Sequence, residues 1–547
     1  MEKKNNKQLI HKIVYGVCGF LLMIIDWTRG SQVGTTWAWT VNMMGVVICL
    51  ILYTADGWKN YYKKKYIAFS IVMLMMLPLG YQFWLSHQTL IYRDKLLSAI
   101  CNIWVLGVCA IRLVEFYRGR HISIKKLLSI HEVLVMVMFL LMFVSVNEDV
   151  WPVWFLALFI VCTLWPITNA EKYSVMNGLC TGVIASFFVL QGAAFVFRPF
   201  DTDYHRYCGI YSNPNINALF YSVVLIAFLF KLFQLRYHKK NTILQVLAYL
   251  FSIATIAFII LTVSKTAWVS VFLCILLYMI CLEFGRLHQT CGKMIVGILI
   301  SGVLLAVCIP IVYLPVRYLP PVFHHPIWYE GEYAEWRVHS WDPWDSPKYV
   351  SFQEVTGAVS ERLLPVVKKV FPAELLKLET VHAAEQNPNG IYVGEKFYPY
   401  ADENTLRYSS YLGRLATWHY YFTHGTILGH SNTEGHEVGI GYTYNWHAQN
   451  VFLQIWYYYG IPAGILFLIV SIAALLKSVK RAFGRDGRDG EMASFVMLFM
   501  TLFLSYGLFE AVWYPGQMIM TLAVLAPLLM KKSELKEENE EISYSSL

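Results

Sequence analysis

Charge is scarce in this sequence: Asp, Glu, Lys and Arg make up 15% of its 547 residues, whereas 57% of them are hydrophobic. Soluble proteins carry roughly a quarter charged residues, so these charges are too few to cover a water-exposed surface of this size. Uncharged runs of bilayer-spanning length recur from one end of the chain to the other. With a mean hydropathy of +0.47, the composition predicts an integral membrane protein.

Cysteines are also absent from the one long hydrophilic segment of the chain. The eleven cysteines lie mostly inside apolar runs, and the hydrophilic segment 316–446 contains none, which excludes disulfides there. No small-residue cleavage site follows the basic N-terminus, so we expect the first apolar run to remain as an anchor. The net charge of +8 comes from residues between the apolar runs, and we therefore predict no nucleic-acid partner.

The apolar runs predict an all-α polytopic membrane protein of about fourteen transmembrane helices. They lie at 13–27, 37–54, 67–85, 97–114, 127–146, 151–166, 174–197, 216–235, 243–263, 266–283, 294–315, 448–476, 492–511 and 515–530. If the N-terminus is cytoplasmic, the cytoplasmic segments carry 26 Lys and Arg and the short segments opposite carry six. This asymmetry follows the positive-inside rule and predicts that both termini are cytoplasmic.

One hydrophilic segment, 316–446, is too long to be a structureless loop, and the parity of the spans places it outside the cytoplasm. We expect it to form an extracytoplasmic cap, with a helix near Val355 to Val370. The predicted organisation is N-terminal transmembrane helices (1–198), helices with two polar motifs (199–315), the cap loop (316–446), C-terminal transmembrane helices (447–530) and a charged cytoplasmic tail (531–547).

Polar residues gather in four patches at the predicted outer ends of the spans. The first runs from Arg206 to Asn215 and contains Asn213, directly before a span. Asn215 is a plausible N-cap, and a helix N-terminus presents free N–H groups and a positive dipole to an anion. An ordinary capped loop is the alternative. The second patch, Ser264 to Trp268, contains Lys265, which could instead extend to the interface as many lysines do.

The third patch is Arg414 to Trp418, which could be no more than a surface arginine. The fourth, Trp446 to Gln454, contains His447, Gln449 and Asn450 at the start of a span. A histidine in such a place is often only a hydrogen-bonded structural residue. The parity of the spans, however, places Arg206, Lys265, Arg414 and His447 on the same side of the membrane.

Three cations and an imidazole suit transfer from a lipid diphosphate. Guanidinium and ammonium groups hold the diphosphate by charge-assisted hydrogen bonds and stabilise the charge that grows on it as it leaves. A neutral imidazole can take the proton of an acceptor hydroxyl, which contributes roughly 10²–10⁴-fold to the rate.

The four patches, in this order, resemble the O-antigen ligase and O-antigen polymerase superfamily of bacterial envelopes. The matching positions are Arg206, Gly209, Asn213, Pro214, Asn215, Ala218, Ser264, Ala267, Trp268, Arg414, Trp418, Asn450, Phe452, Leu453, Gln454, Gly460 and Glu510. The resemblance implies a GT-C-like fold and a metal-independent, inverting glycosyltransferase of the bacterial inner membrane. Such enzymes move a glycan from an undecaprenyl-diphosphate carrier to a glycan, lipid or protein hydroxyl at the extracytoplasmic face.

On this resemblance, Arg206, Lys265 and Arg414 bind the diphosphate and His447 is the catalytic base. The supporting residues are Asn213, Asn215, Gln449 and Asn450. Two positions depart from the family. Lys265 stands where arginine is usual, which keeps the charge but loses bidentate recognition. Gln449 stands where the family has the histidine before Asn450, and an amide cannot accept a proton at neutral pH.

Neither a metal nor another cofactor is predicted, because the spacings of His419, His424, His430 and His436 fit no compact metal motif. Two other functions stay open. A transporter or flippase of lipid-linked glycans would place ionisable residues near the bilayer midplane, often in repeated broken helices. A membrane acyltransferase could also use a histidine, but it would leave the three cations unexplained. Ligase and polymerase cannot be told apart from the sequence.

Overall fold

A computed structural model describes residues 40–41, 43–48, 61–86, 90–118, 128–197, 206–209, 211, 214–323, 352–370, 391–393, 396–398, 411–431, 439–440, 443–444, 448–484, 487–510, 512 and 518–531. These parts are almost entirely helical. Two small antiparallel hairpins pair β1 (Ile391–Val393) with β2 (Lys396–Tyr398) and β3 (Gly439–Ile440) with β4 (Thr443–Tyr444).

Nine helices with described bounds precede the segment predicted to be the cap, in addition to the helical residues 40–41 and 43–48. They are α1 (Lys64–Ser86), α2 (Leu90–Tyr117), α3 (Ile130–Phe143), α4 (Trp151–Leu164), α5 (Asn169–Phe197), α6 (Pro214–Tyr237), α7 (Thr242–Leu261), α8 (Lys265–Leu277) and α9 (Cys291–Phe323). A π-helical turn, Tyr278–Phe284, extends α8.

Six further helices follow, together with a final 3₁₀ turn, Ala526–Met530. They are α10 (Phe352–Val370), α11 (Tyr411–Thr423), α12 (Val451–Tyr458), α13 (Ile461–Gly484), α14 (Gly487–Gly507) and α15 (Met518–Leu525). The helix predicted near Val355 to Val370 is confirmed by α10.

Nine of the helices in the described parts are long and apolar enough to cross a bilayer, which makes the chain a multi-pass membrane protein. They are α1, α2, α5, α6, α7, α8 with its π-helical turn, α9, α13 and α14. Three more predicted spans form apolar helices of 10–17 residues, at Ile130–Phe143, Trp151–Leu164 and Ile519–Met530. The runs 13–27 and 37–54 lie wholly or largely outside the described residues, so the count of fourteen stays a prediction.

Two of the helices form the centre of the bundle. Most of α6 and α14 is buried by neighbouring helices, whereas little of α9 is buried. The Tyr506 hydroxyl, near the end of α14, donates to the carbonyl of Asn215 at the start of α6 (2.6 Å). At the opposite end, Gln234 of α6 donates to Glu491 of α14 (2.9 Å). The central helices are therefore antiparallel, and the start of α6 meets the end of α14.

The helix boundaries differ from the sequence prediction in two places. The apolar run 448–476 is not one helix, because the chain turns at Gly460 with a φ of +97° and separates α12 from α13. A Cβ at this position would lie 2.2 Å from the carbonyl oxygen of Ile427, so only glycine fits the turn. The second difference is that α9 continues to Phe323, past the predicted start of the cap at residue 316.

Candidate functional site

Arg206 connects the segment before α6 to the turn between α7 and α8. Its Nε donates to the carbonyl of Thr262 (2.9 Å), and the Tyr207 backbone N–H donates to the carbonyl of Leu261 (2.9 Å). Its Nη2 donates to Oδ1 of Asn215 (2.6 Å). The guanidinium is thus held at the end of the bundle where α6 begins.

Asn215 links this arginine to a carboxylate. Its Oδ1 accepts from Arg206, and its Nδ2 donates to Oε1 of Glu510 (2.8 Å). The prediction that Asn215 is an N-cap is wrong, because α6 begins at Pro214 and Asn215 lies inside its first turn. Proline is favoured at the first helical position, where its missing N–H costs nothing. The two ends of the Asn215 amide join a cation to an anion instead.

Arg414 supplies a second cation to the same carboxylate. Its Nη2 lies 3.8 Å from Oε1 of Glu510, and its Nη1 donates to the carbonyl of Phe509 (3.1 Å). Its Nε is buried and has no hydrogen-bond partner in the described part of the chain. Glu510 therefore lies between two guanidinium groups, one in direct contact and one reached through Asn215.

The environment of Glu510 controls its protonation. The side chain is 14% exposed, and burial raises its pKa from 4.5 to about 7, although the charges of Arg414 and Arg206 lower it. The carboxyl group can therefore change its charge near neutral pH. Glu510 was noted in the sequence as a position that matches the resemblance, but it was given no role in the predicted site; a further signal for it is that it is a lone acidic residue at the end of an apolar run.

Lys265 lies at the same turn as the Arg206 contact. Ser264 caps α8, and Lys265 is the first residue of that helix, three positions after Thr262. Its side chain is exposed. The second patch therefore presents an ammonium group beside the turn that holds Arg206.

The fourth patch is attached to both α11 and the end of α14. The Trp418 indole donates to the carbonyl of Ala448 (2.9 Å), and the ring of Trp418 packs 6.1 Å from that of Phe509. Asn450 caps α12 by accepting from two backbone N–H groups, and its Nδ2 donates to the carbonyl of Leu508 (3.1 Å). These contacts hold the segment 448–450 next to the carboxylate network.

Gln449 has an unusual conformation within this segment. Its φ is +47°, which residues other than glycine rarely adopt. The residue is 8% exposed, and its Oε1 is buried without a hydrogen-bond partner in the parts of the chain that the structure describes. Two other residues of the predicted site, His447 and Asn213, lie outside the described residues.

Two of the histidines considered as metal ligands pack on tyrosine rings. His424 stacks on Tyr420 with centroids 4.0 Å apart, and His430 stacks on Tyr457 at 3.9 Å. His436 falls outside the described residues. Within the described ranges, no three His, Cys, Asp or Glu side chains lie close enough together to hold a metal ion.

The fold and this site define a class: a multi-pass helical membrane protein with a network of two arginines, an asparagine and a glutamate where its two central helices meet. Comparison with known proteins adds no family to this description, because the sequence matches no protein-family model and no curated protein.

Proposed function

We propose that this chain is a membrane glycosyltransferase that moves a glycan from an undecaprenyl-diphosphate carrier to an acceptor hydroxyl, as an O-antigen ligase or polysaccharide polymerase does. The observation that carries the proposal is the Arg206–Asn215–Glu510–Arg414 network. Its members come from three separate segments of the sequence, at 206–215, 414 and 510, yet they meet at one end of the bundle. Lys265 begins α8, three positions after Thr262, whose carbonyl accepts from Arg206.

The charge of this network suits a diphosphate diester, which carries two negative charges. Arg206, Arg414 and Lys265 offer three positive charges, and Glu510 offsets one of them when it is ionised. A guanidinium group has five N–H donors in a planar fork, which can hold two oxygens at once. The buried Nε of Arg414 has no partner within the described residues, so it can donate to a phosphoryl oxygen.

The proposed reaction is a single displacement at the anomeric carbon of the donor sugar. The acceptor oxygen forms a bond to this carbon while the bond from the carbon to the diphosphate oxygen breaks. The electron pair leaves with the diphosphate, where the cations stabilise the added charge. The proton of the acceptor hydroxyl passes to a base, and we assign this role to His447 on the sequence resemblance. Attack from the face opposite the leaving group inverts the anomeric carbon.

The membrane is part of the proposal, because the carrier lipid stays in the bilayer throughout. The excess of Lys and Arg in alternate loops favours cytoplasmic termini and an extracytoplasmic site in a bacterial plasma membrane. The polyprenyl tail would then lie against the apolar helix surfaces. Its diphosphate would reach the cations at the ends of the helices, and the product would be cell-envelope polysaccharide.

The test is transfer by the purified full-length chain in lipid nanodiscs, supplied with an undecaprenyl-diphosphate oligosaccharide. We expect Arg206→Ala and His447→Ala each to lower the rate roughly a hundredfold or more. Arg488→Ala is the matched control, because Arg488 lies at the opposite end of α14 and is also only partly exposed. Unchanged transfer by either site variant would remove that residue from the mechanism.

The product distinguishes the remaining functions. A ladder of chain lengths indicates a polymerase, and a single transfer to a different acceptor indicates a ligase. Movement of the lipid-linked glycan across proteoliposome membranes without any product would overturn the proposal in favour of a transporter or flippase.

A further inference from the structure

Gln449 is costly to the fold in two ways. Its backbone is in the left-handed region, and its amide oxygen is buried without a donor in the described part of the chain. Gln454, on the following helix, shows the ordinary arrangement, because its Oε1 accepts from the backbone N–H of Ala448 (3.2 Å). Strained backbone and unpaired buried polar atoms persist where a ligand uses them.

The neighbours of Gln449 hold it against the proposed site. On one side, the carbonyl of Ala448 accepts from Trp418 of α11; on the other, Asn450 donates to the carbonyl of Leu508. These are the same two elements that carry Arg414 and Glu510. The backbone of Gln449 is therefore fixed between the two elements that carry the network we assign to the diphosphate.

Arg414 and Gln449 each have a buried atom without a partner in the described residues, and these two atoms have opposite hydrogen-bonding character. The Nε of Arg414 can only donate, which suits a phosphoryl oxygen. The Oε1 of Gln449 can only accept, and an ionised diphosphate diester has no proton to donate to it. A neutral hydroxyl is the part of a transferase's substrates that complements an amide oxygen.

We propose that Gln449 binds a sugar acceptor through a hydroxyl that does not react, and thereby orients the neighbouring hydroxyl that does. The reacting hydroxyl must direct its only proton to the base, so it cannot also donate to Gln449. The acceptor therefore needs a second donor beside the reacting hydroxyl. A sugar supplies one as a neighbouring hydroxyl, which a serine or tyrosine side chain does not have. This assignment rests on the proposed transferase function and specifies its acceptor.

The experiment removes the hydrogen-bonding group from the protein by substitution and from the acceptor by using deoxy sugars. The donor is an undecaprenyl-diphosphate oligosaccharide, and the acceptors are an octyl hexoside and its monodeoxy analogues. We expect Gln449→Met, which keeps the side-chain length, to lower kcat/KM for the full acceptor roughly tenfold to a hundredfold. With wild type, one of the deoxy analogues should lower kcat/KM by a similar factor. With Gln449→Met, the same analogue should change kcat/KM less than threefold, because the hydroxyl it lacks has no partner in that variant.

Two controls separate binding of the acceptor from folding. Gln449→Gly removes the unpaired amide and suits a φ of +47°, so we expect it to unfold at a temperature no lower than wild type while losing transfer. Binding of undecaprenyl diphosphate should stay unchanged in both Gln449 variants. Gln245→Met is the matched control, because the Gln245 amide already donates to the carbonyl of Lys240 (2.7 Å) in the loop after α6.

The outcomes distinguish this assignment from the function on which it rests. Equal losses for every deoxy analogue in wild type and Gln449→Met would overturn the role of Gln449 and leave the transferase intact. Transfer to a serine or tyrosine peptide but to no hexoside would do the same. If the wild-type chain forms no product with any acceptor, the transferase proposal fails, and the assignment of Gln449 fails with it.

Discussion

Replacing Glu510 with glutamine tests whether this carboxyl group is protonated near neutral pH. The glutamine keeps an oxygen for the Asn215 amide, which lies 2.8 Å from Glu510, but it cannot ionise. In the wild-type chain, burial disfavours the ionised form, and the Arg414 charge 3.8 Å away offsets only part of that cost. The substitution therefore isolates the free energy of one ionisation.

The size of the effect follows from the pKa. A rise from 4.5 to about 7 means that the folded state holds the proton more tightly than the unfolded state. The associated stability is fully present below about pH 4.5 and is lost as the pH rises from there through 7, by about 3 kcal/mol in total. Within the range from pH 5 to 8, Glu510→Gln should differ least from wild type at pH 5 and be the more stable of the two at pH 8.

The assay combines unfolding with a direct observation of the proton. Thermal unfolding of both proteins in nanodiscs is followed from pH 5 to 8, and infrared difference spectra record the protonated carboxyl stretch. We expect the carboxyl band of Glu510 to disappear near pH 7 in wild type. The infrared spectra of wild type and variant should therefore not differ in this band at pH 8. Arg414→Gln should move the midpoint upward, because the guanidinium lowers the pKa of Glu510.

A matched control is Glu354→Gln, which removes an exposed carboxylate from α10 and should leave the pH dependence unchanged. Parallel stability curves for wild type and Glu510→Gln from pH 5 to 8 would refute the reasoning. So would a carboxyl band that titrates at the same pH after Glu510 is replaced.

Two glycines carry further predictions. Gly209→Ala should lower stability by about 1 kcal/mol or more and weaken undecaprenyl diphosphate binding, because φ is +58° and a Cβ would lie 2.8 Å from Oδ1 of Asn217; equal dissociation constants would contradict this. Gly460→Ala should cost at least about 3 kcal/mol, because its Cβ would meet the Ile427 carbonyl oxygen at 2.2 Å. Gly297→Ala is the control, since its Cβ would meet no atom within 4 Å apart from the neighbouring backbone of its own helix, and thermal unfolding should be unaffected or delayed.

The site shows where reasoning from the sequence succeeds and where it stops. Arg206 and Arg414 were selected because charges at the ends of apolar runs are costly, and the structure brings both to one carboxylate. Asn215 was expected to cap a helix, a local role, but its amide joins Arg206 to Glu510. The difference arises because Glu510 is 295 residues away in the chain, and no local pattern reveals such a partner.

What the amino-acid order determines here is local: apolar runs long enough to cross a bilayer become helices, and the composition alone defines a membrane protein. Hydropathy and loop charge belong to single continuous segments of the sequence, so they can be read without a fold. Only the tertiary structure decides which helix ends meet, that the run 448–476 breaks at Gly460, and that the Gln449 amide is buried without a donor in the described residues. Those properties depend on how distant segments pack, because packing sets the neighbours of each polar atom.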